Sequence, residues 1–89
     1  MIIVSYDIRD DELRGRFSKF LLSYGRRLQF SVYEIKNSKR VLDNVIVEIK
    51  AKYEKEFGQD DSVMIFRVDS KKILRFGYAK NEEEDLIIV

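Results

Sequence analysis

Carboxylates and cations are the side chains through which this sequence could do chemistry, because it contains neither histidine nor cysteine. Their absence excludes serine or cysteine triads that use an imidazole base, and zinc sites built on histidine or thiolate ligands. The four glycines, at positions 15, 25, 58 and 77, are too scattered for a glycine-rich phosphate loop. Any hydrolytic chemistry must therefore use carboxylates, hydroxyls, Lys, Arg and hard metal ions.

Asp7 is the carboxylate best placed to hold a metal ion. It follows the apolar residues 1–6 and precedes the acids Asp10, Asp11 and Glu12 at the start of a predicted helix. A strand-end carboxylate suits Mg²⁺, which takes one or two carboxylates with waters and phosphate oxygens. The competing interpretation is a loop or capping acid for Asp7, with the three later acids complementing the helix dipole. One aspartate is too few for a robust site, so a two-fold dimer would supply the second carboxylate.

Positive charge is concentrated in residues 14–40, which hold eight Lys or Arg residues against the single acid Glu34, a net charge of +7. A basic face on a nearly neutral chain indicates a directed anionic partner, although ordinary solvated charges give the same composition. Cations near Asp7 would stabilise charge on a phosphate during metal-assisted phosphodiester cleavage. Without base-reading motifs they would bind a nucleic-acid backbone with little sequence preference. The candidate nucleic-acid-binding residues are Arg14, Arg16, Arg26 and Arg27.

Predicted strands and helices position these residues. Residues 1–6 and 62–68 are strongly apolar, as central strands of a sheet are. Apolar side chains recur at helical spacing from Asp10 or Asp11 to Gly25, which acts as the helix stop, and again after the N-cap Ser38 as far as residues 57–58. Residues 27–36 are extended, either as one kinked strand or as a tight hairpin that folds back near Ser31.

The order of these elements predicts an α+β sandwich, with two helices on one face of a mainly antiparallel sheet. The ferredoxin-like βαββαβ arrangement is the commonest fold of this type, and residues 74–78 would add a short extended segment. Two aromatics, Phe30 and Tyr33, lie among the basic residues and could contact bases or sugars. Burial in the core or in an interface is the alternative for both.

Eighty-nine residues make one domain. We divide it into a ferredoxin-like body, residues 1–79, and a C-terminal linker with a last strand, residues 80–89. The apolar residues 86–89 should be docked on this domain or on a second copy, and a small domain gains stability from such a partner. The N-terminal apolar run has no basic flank and fits neither a signal peptide nor a membrane span, which predicts a cytoplasmic protein without a membrane partner.

Four segments, in their order and spacing, resemble the CRISPR-associated Cas2 family over nearly the whole chain: VSYDI, LRGRF, YGRRLQFSVYE and DSVMIFRV. The resemblance implies a ferredoxin-like protomer with an extra C-terminal strand, and a symmetric homodimer in which the C-terminal strands pack on the partner. It also implies a role in CRISPR spacer acquisition, in which the dimer bridges two dimers of the Cas1 integrase and holds double-stranded DNA. Some family members are reported as metal-dependent endonucleases that act on single-stranded RNA or duplex DNA.

Carried over by position, the strand-end aspartate of the family corresponds to Asp7, the implied catalytic and metal-binding residue. Mg²⁺ or Mn²⁺ would be bound between the two Asp7 of a dimer. The arginines of the family motif correspond to Arg14, Arg16 and Arg27. The supporting positions correspond to Tyr6, Ser31 and Tyr33, where Tyr33 stands in place of the usual Phe. Residues 86–89 fit the intersubunit strand, and the acidic residues 82–85 fit part of the surface that meets the integrase.

Two functions stay open at this point. A DNA-holding scaffold would use the basic residues and could dispense with Asp7, whereas a metal-dependent nuclease would need Asp7. A third alternative is a ribonuclease toxin similar to virulence-associated protein D, which resembles this family in fold. A small-molecule regulatory ferredoxin-like domain is the fourth, and the net charge of +7 in residues 14–40 argues against it. The choice between DNA and RNA, the metal and the CRISPR subtype also stay open.

Overall fold

Four strands form one antiparallel sheet in the computed structural model, which describes residues 1–77 and 87–88. The sheet order is β2-β3-β1-β4. Its strands are β1 (Ile2–Asp7), β2 (Gly25–Gln29), β3 (Val32–Ile35) and β4 (Ser62–Arg67). Helix α1 (Asp11–Leu22) joins β1 to β2, and helix α2 (Lys39–Glu48) follows β3. The predicted ferredoxin-like βαββαβ arrangement is therefore confirmed.

Local sequence signals set the beginnings of both helices. The Asp10 carboxylate accepts a hydrogen bond from the Leu13 N–H at 2.8 Å, and Ser38 caps α2 by accepting from the Val41 N–H at 3.3 Å. Both N-caps agree with the prediction. The end of α2 differs from it, because the chain passes into a π-helical turn, Ile49–Tyr53, and a 3-10 turn, Glu54–Glu56.

Gly25 has a different role from the predicted helix stop. Helix α1 ends with Ser23 as its C-cap, and Gly25 is the first residue of β2. A Cβ atom at Gly25 would lie 1.9 Å from the Glu34 carbonyl oxygen of β3. Glycine is therefore required here because two backbones approach closely, which is a tertiary constraint and not a helix-ending one.

The core lies between the two helices and one face of the sheet, which we call the helix face. At its centre the fully buried Phe17 ring of α1 lies 5.2 Å from the ring of Tyr6, 5.6 Å from Phe20 and 5.2 Å from Tyr53. The buried core residues are Ile2, Val4, Tyr6, Ile8, Leu13, Phe17, Phe20, Leu21, Tyr33, Ile35, Leu42 and Val45. This packing fixes β1 and β3 against α1.

The opposite side of the sheet, which we call the open face, carries the alternate residues of each strand. Strand β4 was predicted to be a sheet centre, but it is the outer strand of the four. Its open-face residues Met64 and Phe66 are 55% and 42% exposed. Composition predicts that a strand will be covered, but it does not say whether the same chain covers it. That is why the position of β4 could not be deduced from its sequence.

Residues 25–35 form a hairpin, which settles the alternative between one kinked strand and two strands. The chain reverses at Phe30 and Ser31, where Ser31 has a φ of +64°, and a register shift between Arg27 and Gln29 marks a bulge in β2. The Ser31 carbonyl accepts a hydrogen bond from the Tyr6 N–H at 3.1 Å. The tip of the hairpin is therefore attached to β1.

After β4 the chain crosses the open face. A 3-10 turn, Ser70–Lys72, leads to β5 (Leu74–Arg75), which pairs in parallel with β6 (Ile87–Ile88). The Arg75 guanidinium donates to the Leu28 carbonyl, and a cavity of about 270 Å³ lies between β5 and the sheet. The acidic run 82–85 and the rest of the predicted linker lie outside the described residues. The boundary at residue 79 and the docking of residues 86–89 on a partner stay predictions.

None of the helices in the described part of the chain has the length and apolar character needed to cross a membrane.

Candidate nucleic-acid interface

A cavity of about 250 Å³ lies between α1 and the β2–β3 hairpin on the helix face. We call it the hairpin cavity. Five of the eight site residues predicted from the sequence line this cavity. Its lining residues are Tyr6, Asp11, Arg14, Gly15, Ser18, Arg27, Phe30, Ser31 and Tyr33.

Strand register explains why these residues meet. Arg27 of β2 lies opposite Tyr33 of β3, and Tyr33 lies opposite Val4 of β1. Residues directly opposite in an antiparallel pair share one face, so Arg27 and Tyr33 are on the helix face with the buried Val4. On α1, Arg14 and Ser18 are four residues apart and therefore project from the same side of the helix.

Hydroxyl groups line one wall of the hairpin cavity. The Tyr33 hydroxyl is hydrogen-bonded to the Ser18 hydroxyl, and the Tyr33 ring stacks on Tyr6 with a centroid distance of 5.9 Å. Burial, together with a hydrogen bond to Tyr33, raises the pKa of the Tyr6 phenol above its ordinary value. The raised pKa favours the protonated phenol, which is part of the hydroxyl network of this wall.

Two arginines supply positive charge to the cavity, and their surroundings differ. The Arg14 Nη1 donates to the Ile8 carbonyl at 3.0 Å and to the Arg9 carbonyl at 3.2 Å, and the guanidinium also pairs with the Asp11 carboxylate. Arg14 is thus held in place and partly neutralised. The Arg27 guanidinium lies 5.5 Å from the centroid of the Phe30 ring and has no carboxylate partner within residues 1–77. Of the two arginines, Arg27 therefore offers the larger positive charge to an anion bound in the cavity.

Arg16 and Arg26 do not line the hairpin cavity. Arg16 forms two hydrogen bonds to the Glu56 carboxylate, at 2.7 and 3.2 Å, and this contact lowers the pKa of Glu56. Arg26 donates to the Glu34 carboxylate at 2.8 and 3.0 Å. Since neighbouring residues of a strand alternate between faces, Arg26 is on the open face when Arg27 is on the helix face.

Asp7 is separated from the cavity arginines by the same alternation. Tyr6 points to the helix face, so Asp7, the next residue, is on the open face, where it is exposed. Its carboxylate makes no hydrogen bond or ion pair within the described residues. No group of three or more acidic side chains in residues 1–77 is arranged to hold a metal ion. A single free carboxylate still fits Mg²⁺, provided that a second copy of Asp7 or a phosphate completes the ligand set.

Sequence reasoning missed Ser18 and Gly15 of α1 as lining residues of the cavity. The signal that could have identified Ser18 is its position one helical turn after Arg14. Gly15 has no such signal, because its contribution is the space that a side chain would otherwise fill.

Comparison with known proteins gives consistent matches. The family model described as CRISPR associated protein Cas2 matches residues 1–75. The chain is 43% identical over 49 residues to the CRISPR-associated endoribonuclease Cas2 4 of Rhodospirillum rubrum, covering 55% of this chain and 40% of that protein. It is 39% identical over 57 residues to the CRISPR-associated endonuclease Cas2 2 of Thermus thermophilus, covering 64% of this chain and 61% of that protein. The chain thus aligns with less than two thirds of these two relatives.

Solved structures show the same fold. A hypothetical protein, TT1823 from Thermus thermophilus, superposes with a TM-score of 0.66 at 31% identity, covering 76% of this chain and 79% of that one. A crystal structure of cas2 superposes with a TM-score of 0.64 at 30% identity, covering 93% of this chain and 92% of that one. Streptococcus pyogenes Cas2 superposes with a TM-score of 0.63 at 18% identity, covering 76% of this chain and 84% of that one. At this identity the match supports the fold alone. Because the family model covers most of the chain and the folds agree, this protein belongs to the CRISPR-associated protein Cas2 family.

Proposed function

We propose that this chain works as a symmetric homodimer that holds double-stranded DNA and joins the Cas1 integrase in CRISPR spacer acquisition. The observation that carries the proposal is the hairpin cavity, where the guanidinium groups of Arg14 and Arg27 converge with several hydroxyls. Cations and hydroxyls of this kind bind phosphate oxygens, and such contacts position a protein on DNA without reading its sequence. Membership of the Cas2 family favours this role over a ribonuclease toxin.

The open face supports the dimer. Apolar side chains with large exposed fractions lie there on β4, and a small domain gains stability when a second copy covers such a patch. A two-fold axis uses the same patch on both copies. Asp7 lies on this face as well, so the axis that buries Met64 and Phe66 also brings the two Asp7 carboxylates onto facing surfaces.

Metal-dependent endonuclease activity is the second candidate function. It is favoured by the exposed Asp7 carboxylate, which has no partner among residues 1–77, and by the names of the relatives, an endoribonuclease and an endonuclease. Bound Mg²⁺ or Mn²⁺ would supply an activated water for phosphodiester hydrolysis, on single-stranded RNA or on duplex DNA. We rank this second because Asp7 and the cavity arginines occupy opposite faces of the sheet, so Asp7 and Arg27 of one protomer do not face the same site.

Duplex binding tests the first proposal. Fluorescence anisotropy of a labelled DNA duplex, with EDTA present to prevent cleavage, is measured over a range of salt concentrations. Each lost phosphate contact reduces the salt slope of log K by about 0.9, so Arg14→Gln with Arg27→Gln reduces it by roughly 2 per protomer in contact. Lys39→Gln is the matched control, since Lys39 lies on α2 and pairs with Asp43. An unchanged slope and affinity in the double variant would show that the hairpin cavity does not bind DNA.

Asp7→Asn separates the two functions. Because Asp7 is exposed and makes no contact with a partner side chain in the described part of the chain, the variant should fold like the wild type. Cleavage of RNA and DNA is measured with Mg²⁺ and Mn²⁺, beside a pull-down with the integrase and a spacer-acquisition assay. Acquisition that persists while cleavage disappears supports the scaffold, and acquisition that stops in folded Asp7→Asn contradicts a scaffold-only function. Cleavage at the wild-type rate in Asp7→Asn would show that hydrolysis does not depend on the Asp7 carboxylate.

A further inference from the structure

The Phe30 ring occupies an unusual place at the tip of the β2–β3 hairpin. Tight turns favour small polar residues, but this turn holds a phenylalanine. Phe30 is 70% exposed. Its position is well defined, because β2 and β3 pair on either side of the turn and the Ser31 carbonyl is hydrogen-bonded to the Tyr6 N–H at 3.1 Å. The fold therefore presents a large aromatic surface to the outside on a firmly held support.

A cation lies beside this ring. The Arg27 guanidinium carbon is 5.5 Å from the Phe30 centroid, within the range of a cation–π contact, and Arg27 has no carboxylate partner in residues 1–77. Proteins that bind unpaired nucleic acid combine these two elements, an aromatic face for the base and a cation for the backbone. In a duplex the base faces are already stacked on one another, so an exposed ring contributes little to duplex binding.

The space next to the ring has the size of a small ligand. The hairpin cavity of about 250 Å³ is below the roughly 300 to 1,000 Å³ of drug-sized pockets, so it suits the phosphate and sugar of one nucleotide, with the base lying over the exposed Phe30 ring. Gly15 lines its wall in the middle of α1, where glycine is less favourable than alanine. A Cβ atom at Gly15 would meet no atom of the described residues within 4 Å, so they leave the wall open there. Hydroxyls of Ser18 and Tyr6 provide hydrogen-bonding groups at the same cavity.

We propose that the hairpin cavity is a subsite for one unpaired nucleotide, in which the Phe30 ring stacks on the base and the Arg27 guanidinium holds the adjacent phosphate. This inference rests on the proposed nucleic-acid binding and adds its substrate class. The preferred ligand is nucleic acid with an accessible base, as in a single strand or at the overhanging end of a duplex, and a blunt duplex uses only the cations.

Anisotropy titrations with a labelled single strand and with a blunt duplex of the same sequence test the inference, with EDTA present in both. Phe30→Leu keeps the apolar bulk but removes the aromatic face, and we expect it to weaken single-strand binding roughly 5- to 150-fold, the usual effect of losing one stacked base. Duplex binding should change less than about twofold, and Phe30→Tyr should bind like the wild type. The matched control is Phe76→Leu, since Phe76 is 76% exposed but does not line the cavity.

A second readout reports stacking directly. A single strand that carries 2-aminopurine should lose fluorescence on binding to the wild type and keep it on binding to Phe30→Leu. Unchanged single-strand affinity in Phe30→Leu, an equal loss for strand and duplex, or a loss that follows dissociation of the dimer in light scattering would each overturn the inference. If the wild type binds neither ligand, the proposed function itself fails. If duplex binding is normal and only the Phe30 effect is missing, this inference alone fails.

Discussion

Exchanging glycine for alanine at two positions should change stability in opposite directions, although the chemical change is the same. At Gly25 an added Cβ would meet the Glu34 carbonyl oxygen at 1.9 Å and the Ile35 Cα at 2.6 Å, and both are backbone atoms of β3. At Gly15 it would meet no atom of residues 1–77 within 4 Å. The first change forces two strands apart, whereas the second adds a methyl group to the exposed surface of a helix.

The size of each effect follows from these distances. Ordinary contact begins at 3.4 Å, so β2 and β3 must separate by about 1.5 Å at Gly25, enough to break the hydrogen bond of 2.9 Å between the Lys36 N–H and the Tyr24 carbonyl. Overpacking costs about 1 to 3 kcal/mol and a lost hydrogen bond about 1. We therefore expect Gly25→Ala to lose about 3 kcal/mol. Gly15→Ala should gain about 0.5 to 1 kcal/mol from its higher helix propensity.

Urea unfolding followed by circular dichroism measures both variants against the wild type. With a slope of about 2 kcal/mol per molar urea, the midpoint should fall by roughly 1.5 M for Gly25→Ala and rise by roughly 0.3 to 0.5 M for Gly15→Ala. A wild-type midpoint for Gly25→Ala would show that β2 and β3 do not approach as described. A lower midpoint for Gly15→Ala would show that the cavity wall is already filled.

Three further predictions concern the core and the surface charges. Phe17→Ala removes a fully buried ring from the aromatic cluster and should cost about 3 to 5 kcal/mol in urea unfolding, whereas a loss below about 1 would contradict its central position. Arg16→Gln and Glu56→Gln should show, in a double-mutant cycle, a small coupling that disappears at high salt, because this ion pair is about 40% exposed. Two backbone N–H groups lower the pKa of Asp61 below its ordinary value of 3.8. The stability that the ionised Asp61 contributes is therefore complete above that ordinary pKa, and it is lost as the pH falls through the lower pKa of the folded protein. Asp61→Asn should therefore reduce the acid-side loss of the urea midpoint, and an unchanged pH profile would refute this.

Local signals in the sequence were enough for much of the fold. The N-caps Asp10 and Ser38 and the helical spacing of apolar residues lie within a few positions of one another, so no long-range information is needed to interpret them. The turn near Ser31 could also be located, but the choice between a kink and a hairpin could not. That choice depends on whether residues 25–29 find a partner strand, and the bulge in β2 obscures the alternation that would show it.

The candidate site could be predicted in its residue types but only partly in its arrangement. Tyr6, Arg14 and Arg27 meet at the hairpin cavity, whereas Asp7 does not line it. Adjacent residues in sequence, such as Tyr6 and Asp7, were expected to act together. In a strand, however, consecutive side chains point to opposite faces of the sheet, so the Tyr6 and Asp7 side chains lie on different sides of it.

The residue types in the sequence restrict the chemistry open to this protein to carboxylates, hydroxyls, lysines and guanidinium groups, and such ligands favour a hard metal ion. The order of helices and extended segments along the chain also follows from the sequence, and its motifs indicate the Cas2 family. Which arginines face the hairpin cavity and which face the open side could be seen only after the strands had been paired. The physical reason is strand register, since a shift of one residue in the pairing of β2 with β3 would exchange the faces of Arg26 and Arg27.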